Sequence, residues 1–403
     1  MTHRTDTGAP GAQWPPHGSV VRPWRSTGRV PRPDRTTTSV RCALPPHIAD
    51  LPYEAPPDVA DLAARAVERL VDLDRRLGDR TSPFALLLAR TEAVSSSRIE
   101  EEHATLEDYA RAVVGIRANS SATAMVAATG ALRRMIDAAG SGTITMPSVL
   151  AAHRVLMCDD PVDGPVSGRW RTVQNWIGGG VSPRDASYVP PPADAVPALM
   201  DDLFAFLDRD DLDPVVQAAI AHAQFESIHP FTDGNGRIGR ALVHAVLRRR
   251  GVTTTLVAPV AAALVADRAD YFRCLVRYRD GRVDDVVARV ASAVGVVCDE
   301  VEFAALRLDE IAADWRALHP RAAGLDVVRT LLTDPVVTEA DVDAAAVLPH
   351  PRHAWRLDVV DELVDAGVLR PVTQRRRDRA WVAPDVLGEL DALTGRIRAA
   401  VAA

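Results

Sequence analysis

Residues 227–240 read SIHPFTDGNGRIGR: a histidine, an acid, an asparagine between two glycines and two arginines within fourteen positions, framed by Ile228, Pro230 and Phe231. A core segment has no use for so many polar groups, and a plain surface loop has no use for the apolar frame. The flanks decide where the cluster sits. Upstream, Asp213 and Pro214 have the character of an N-cap and first helical residue, which predicts a helix through PVVQAAIAHAQFES ending just before His229. Downstream, Ile238, Ala241, Leu242, Ala245 and Val246 form one apolar stripe that runs to a stop at Gly251. The cluster is therefore the connection between two buried helices.

Its residue types point to an anion. Gly234, Asn235 and Gly236 let the chain turn tightly and aim backbone amides from the open N-terminus of the second helix. Arg237 and Arg240 lie three apart on the first turn, where a positive charge is unfavourable unless something negative is bound. Two guanidiniums on one polyanion suit a phosphate chain. Asp233 suits Mg²⁺ beside those phosphates, and His229, neutral near pH 7, suits a general base.

HPFTDGNGR followed by IGR also resembles the HxFx(D/E)GNGRxxR motif of the Fic (filamentation induced by cAMP) family, with every fixed position matched. Most members of that family move AMP from ATP onto a Ser, Thr or Tyr hydroxyl of another protein. The resemblance implies His229 as catalytic base and Asp233 as the Mg²⁺ ligand. It implies Asn235 and Gly236 as the anion hole at the α-phosphate, with Gly234 in the same phosphate-binding turn, and Arg237 and Arg240 on the β- and γ-phosphates. ATP is then a co-substrate, and a target protein with a modifiable hydroxyl is the second partner.

Two further stretches are similar to parts of that family. SSSRIEE fits the inhibitory (S/T)xxxE(G/N) pattern at Ser96 and Glu100, which implies a salt bridge from Glu100 to Arg240 that keeps the γ-phosphate from seating. Glu101 stands where Gly or Asn is expected, and is expected to add bulk and negative charge near the phosphate site. The competing reading is a solvated acidic helix face made by Glu100, Glu101 and Glu102. VQNWIGG and YVPPP resemble the family's flap, with Trp176, Ile177, Gly178 and Tyr188 in a β-hairpin whose arms, 173–180 and 187–191, register a target peptide by strand addition. Trp176 and Tyr188 have the alternative task of packing that hairpin.

The expected fold class is mostly α: a Fic-type helical bundle with a small β-hairpin flap and a C-terminal winged-helix domain. Residues 1–45, rich in Pro, Thr, Arg and Gly and without a period, read as a flexible or loosely docked lead-in. Residues 46–120 read as a helical region carrying the inhibitory motif, 121–318 as the catalytic core and 319–403 as the winged helix. One helix is expected over 83–117, and His153 and His222 are read as packed polar residues. Arg352, His353, Arg356 and the wing-tip Arg375, Arg376, Arg377 and Arg379 offer DNA contacts. Asp358, Asp361, Glu362 and Asp365 on the same expected helix oppose them, which favours protein docking or a homodimer over DNA.

A formal net charge of −7 argues against general polyanion binding. The four dispersed cysteines make no CxxC pair, and no apolar stretch is long enough for a membrane span, so a cytoplasmic protein is expected. The leading function is Mg²⁺-dependent AMP transfer restrained by Glu100. Removal of AMP from a modified protein, and transcription regulation with a nucleotide-sensing core, are the alternatives.

Overall fold

The computed structural model describes residues 14–26, 31–78, 81–113, 115, 119–318, 330–339, 341, 357–372 and 379–403. Arg352, His353, Arg356 and Arg375 to Arg377 lie outside the described residues.

The chain opens with β1 (Gly18–Pro23), a short α1 (Arg32–Arg35) and β2 (Ser39–Leu44), and β1 and β2 pair antiparallel from Gly18↔Leu44 to Pro23↔Ser39. Regular structure thus begins inside the lead-in, as a ribbon that docks through Ala43 N on Val189 O. A run of helices follows: α2 (Pro57–Gly78), α3 (Thr81–Ile99), α4 (Leu106–Val113), α5 (Ser120–Ala139), α6 (Met146–Met157), α7 (Val196–Leu207), α8 (Pro214–Ile228), α9 (Asn235–Arg249), α10 (Val260–Ala266), α11 (Arg268–Arg279) and α12 (Val283–Leu318).

Local chemistry starts several of these helices. The Asn119 side chain accepts from Ala122 N ahead of α5, Thr145 and Ser148 form a reciprocal capping box on α6, and Asp213 accepts from Val215 N and Val216 N ahead of α8. Every residue of α8 from Val215 to Ile228 is buried, so α8 is the central helix. It packs against α7, α9, α11 and α12, and the fully buried Phe206, Phe225, Phe231, Tyr271 and Tyr278 fill the space around it. No helix among the described residues is long and apolar enough to cross a membrane.

The expected helix over 83–117 is two helices. α3 stops at Ile99, Glu101 takes a left-handed backbone at φ 64°, and α4 begins at Leu106. The helical pattern continues across this break because α4 has an apolar face of its own, which packs against α5.

In the last segment, β3 (Val336–Thr338), α13 (Leu357–Asp365), β4 (Arg370–Pro371) and β5 (Ala380–Val382) precede a long α14 (Pro384–Ala402). The three strands form an antiparallel sheet with β5 in the centre. α14, which the sequence pattern did not suggest, lies along α12 and also meets α10. Leu331, Val360, Trp381, Leu393 and Ile397 belong to the same apolar cluster as the helical core. The tail is thus packed onto the bundle.

Asp74 shows how firmly the helices are tied. From α2 its carboxylate accepts from Thr254 N at 2.8 Å, Thr254 Oγ1 at 2.6 Å, Thr255 N at 3.1 Å and Leu256 N at 2.6 Å, just ahead of α10. Burial works to raise its pKa, but the Thr254 hydroxyl and three backbone amides together hold it below the ordinary value. Stability from such a group is present above the ordinary Asp range and is lost as pH falls through the lowered folded value. Asp74→Asn is expected to cost about 1–3 kcal/mol at pH 7. Urea midpoints of the two proteins should converge as pH drops below about 4; a gap that stayed constant with pH would show that the carboxylate charge is not what matters.

Candidate active site

The connection from α8 to α9 is a closed polar turn. His229 is the C-terminal cap of α8, with a left-handed backbone at φ 51° and ψ 61°, and its N–H donates to Phe225 O. Phe231 plugs the turn into the core: it is fully buried, stacks on the His153 ring at 3.6 Å, and tilts against Trp170 and Phe225. Asn235 closes the loop, its Oδ1 accepting from Phe231 N at 2.8 Å and its Nδ2 donating to Phe231 O at 2.9 Å. Its side chain is thus used inside the turn, which leaves its backbone N–H as the group that can face an anion. The first intrahelical bond of α9 runs from Ile238 N to Gly234 O, so the N–H groups of Asn235, Gly236 and Arg237 precede the helix's own acceptors.

Gly234 adopts φ 76°, and a Cβ there would press on Leu156 and Met157. At Gly236 a Cβ would collide with Glu100 Oε1. A carboxylate therefore already rests on the open end of α9, where an anion is favoured.

Arg240 is the buried cation of the site. Its side chain is 2% exposed; Nε donates to Ser96 Oγ at 2.8 Å, and Nη2 donates to Ser96 O at 2.9 Å and to Glu100 Oε1 at 2.7 Å. Burial raises the Glu100 pKa, but Arg240 above all, with Arg237 and His229, holds it below the ordinary value. Arg237 points to the other side of the turn, 3.3 Å from Asp233 and against Met157 Sδ. The Asp233 side chain is 58% exposed. Among the described residues no group of three or more metal-ligating side chains gathers anywhere. One accessible carboxylate beside a phosphate-sized anion position suits Mg²⁺, which keeps most of its ligands as water and phosphate oxygens.

His229 is pushed down to about 3, by burial first and then by the positive charges of Arg171 and Arg279, and Nδ1 has no partner among the described residues. It is a neutral imidazole at physiological pH. Behind it, Glu226 is buried with Oε1 unpartnered among the described residues, and burial pushes its pKa up to about 7.

Two expectations need correction. Glu101 brings no charge to the phosphate position: its side chain is 71% exposed and pairs with Arg268 at 2.8 Å. Its left-handed backbone explains why Gly or Asn suits that place. Glu100, Glu101 and Glu102 also lie past the end of α3, so the acidic helix face does not exist.

The flap is reduced to a single bridge, Ile177↔Tyr188, around a 3₁₀ turn at Pro183–Asp185. Three consecutive glycines and the prolines at 183 and 190 to 192 leave little for a longer ladder. Gly178 has φ 70°, with Ser187 Oγ 2.6 Å from where a Cβ would sit. Trp176 donates to Gly180 O and stands edge-on against Trp24 at 5.5 Å. Tyr188 donates to Ser227 O at 2.7 Å beneath the Arg279 guanidinium. Both aromatics are packed. On the far side of the 187–191 arm Ala43 N in β2 donates to Val189 O at 2.9 Å, so that acceptor is already used within the chain.

Sequence reasoning missed Arg171 and Asn175, which tie the flap to the catalytic turn, and the positioning task of His153. Arg171 Nε donates to His229 O and Asn175 Nδ2 donates to Phe231 O, both at 2.8 Å. His153 is packed as expected, and more: Nδ1 accepts from Gly168 N, so Nε2 carries the proton and donates to Asp233 O at 3.0 Å. Non-periodic polar residues in a Gly-rich stretch give no signal of these contacts. His222, 2.9 Å from the Tyr271 hydroxyl, is buried among core residues.

Residues 143–247 match the Fic/DOC family model. Protein adenylyltransferase fic-1 of Caenorhabditis elegans is 32% identical over 136 residues, 33% of this chain and 23% of that protein. Protein adenylyltransferase Fic of Drosophila sechellia is 27% identical over 218 residues, 53% of this chain and 38% of that protein. The chain thus spans well under half the length of these curated relatives. A crystal structure of a Fic family protein from Desulfovibrio desulfuricans G20 shares the fold, with TM-score 0.51 at 24% identity over 82% of this chain and 97% of that one. The matched span holds the flap and the turn from His229 to Arg240 but neither Ser96 nor Glu100, so the likeness to the Fic/DOC family is carried by residues 143–247.

Proposed function

We propose that the chain is a Mg²⁺-dependent protein adenylyltransferase, restrained by its own Glu100. The observation that carries this is one anion position, at the open end of α9, that faces both Arg240 and the turn bearing a neutral histidine and is filled by a carboxylate of the same chain. The names of the curated relatives support the same activity.

On this reading the N–H groups of Asn235 and Gly236 hold the α-phosphate of ATP, and Arg237 and Arg240 hold the β- and γ-phosphates. Asp233 would hold Mg²⁺, which when bound neutralises phosphate charge. His229 takes the proton of a Ser, Thr or Tyr hydroxyl on the target. The hydroxyl oxygen forms its bond to the α-phosphorus as the bond to the bridging oxygen breaks, and pyrophosphate leaves. Glu100 restrains the reaction because its carboxylate and a γ-phosphate compete for one guanidinium. The C-terminal segment is read as a protein-docking unit; Arg379, the described member of its basic set, is paired with Glu339 at 3.0 Å.

His229→Ala should lower transfer of label from α-³²P ATP by about 10²- to 10⁴-fold. Calorimetry should still detect ATP, whose phosphate contacts lie on α9. Transfer close to the parent level would remove the general-base assignment.

Glu100→Gly should raise labelling by about 5- to 150-fold, the range of a coupling of about 1–3 kcal/mol. The same change leaves Arg240 buried without a counter-charge, so Tm should fall without nucleotide and recover more with ATP than it does in the parent. If neither labelling nor the ATP-dependent Tm moved, Glu100 would not be the restraint.

A further inference from the structure

We propose that Arg171 is the positioning residue of this site: one buried guanidinium sets the backbone turn that carries His229 and fastens the flap to it. The inference rests on the adenylyltransferase reading only for its kinetic consequence.

The geometry is unusual for an arginine. Arg171 is 3% exposed, yet among the described residues no carboxylate pairs with it. Its partners are carbonyls. Nε donates to His229 O at 2.8 Å; Nη2 donates to Pro191 O at 2.6 Å and to Ile228 O at 3.4 Å; Nη1 donates to Val173 O at 3.2 Å. The backbone N–H of the same residue donates to Pro230 O at 2.9 Å. The three successive carbonyls of Ile228, His229 and Pro230 are therefore all received by Arg171.

Those carbonyls explain both the missing carboxylate and the role. They stand at the C-terminal end of α8, where unpaired C=O groups and the helix dipole favour a cation. The helix end thus acts as the counter-charge. Burial draws the Arg171 pKa down to about 10, so the side chain stays charged at neutral pH. His229 has a left-handed backbone, which a residue with a Cβ rarely adopts unless its surroundings impose it. Turning the chain there sends the carbonyls of 228 to 230 to one point, and a planar fork with five N–H donors can satisfy several at once.

The remaining two acceptors lie in the flap, one on each arm. Val173 belongs to the arm before the Ile177↔Tyr188 bridge and Pro191 to the arm after it. Only one residue pair bridges the arms, so the flap has little pairing of its own to fix its position. Among the described residues, Arg171 is the one side chain that holds both arms to the carbonyls around the catalytic base, with Asn175 on Phe231 O and Tyr188 on Ser227 O as single further ties. The surface that receives a target hydroxyl and the group that takes its proton are then placed by the same side chain, whose hydrogen bonds among the described residues all go to carbonyls outside α9.

The test uses the full chain carrying Glu100→Gly, with Arg171→Met and Arg171→Lys added separately. Steady-state self-labelling with α-³²P ATP should show kcat reduced on the order of 10²-fold in Arg171→Met, the cost of a base displaced by about 1 Å, with KM for ATP unchanged. Arg171→Lys keeps the charge but not the fork, and should recover part of kcat. Hydrogen exchange, which needs no turnover, should show residues 172–191 and 228–233 losing protection together while α8 and α9 stay protected. If Arg171→Met does not fold, the Lys variant carries both readouts. A loss confined to KM, an unchanged kcat, or a flap that loosens while 228–233 keeps its protection would overturn the proposal. Should the Glu100→Gly parent transfer no label, the adenylyltransferase reading fails by itself, and joint or separate loss of protection still decides the role of Arg171.

Discussion

A guanidinium cannot be buried in a helical core without something to answer its charge, and Arg240 is buried to 2% exposure. Much of the site follows from that constraint. The answering carboxylate is Glu100, on a different part of the chain, and reaching it requires α3 to end where it does. Ser96, four residues earlier on α3, gives both its hydroxyl and its carbonyl to the same guanidinium. Arg240 is thus held on two sides by α3 and its end, and α9 cannot be described apart from the segment that covers its first turn. An incoming polyphosphate would supply the counter-charge that Glu100 supplies in its absence.

The turn between α8 and α9 sets two helix ends of opposite polarity beside one another, and each has its complement. The C-terminal end of α8 receives the Arg171 cation, and the N-terminal end of α9 receives the Glu100 anion. His229 sits between them. A histidine at a helix C-terminus would ordinarily gain basicity, but burial and the two nearby arginines outweigh that and leave it neutral. The same arrangement that fastens the loop also keeps its imidazole uncharged, with one ring nitrogen free to accept a proton.

How much of this could be read from the residues depends on whether the signal was local. Asp213 with Pro214, the stripe from Ile238 to Val246, and the glycines around Asn235 each act within a few positions, so the α8–α9 connection was legible before any coordinates. The pairing of Glu100 with Arg240 spans 140 positions and was reached only through resemblance. Arg171 escaped because its partners are backbone carbonyls, which every residue carries and no sequence pattern marks. The ribbon of β1 and β2 escaped for a related reason: its composition is that of a linker, and its strands are held by pairing with each other and by docking Ala43 on Val189. α14 carries little local signal, because its N-cap position, Ala383, makes no side-chain cap and its burial is set by α12, far away in sequence.

Glu101 shows why a departure from a pattern has to be read through backbone geometry. Read as charge, an acid beside Glu100 adds repulsion where an anion would bind. Read as backbone, the residue after Glu100 must turn left-handed so that the chain can leave α3, a conformation Gly and Asn enter at low cost and Glu does not. This chain accepts that cost, and the Glu101 carboxylate is drawn outward to Arg268 at the start of α11. Arg268 in turn lies over the Phe272 ring. The turn holding Glu100 is therefore gripped from both sides, by Arg240 within and Arg268 without, and the residue that looked like a second negative charge in the site serves as the outer tether of the first.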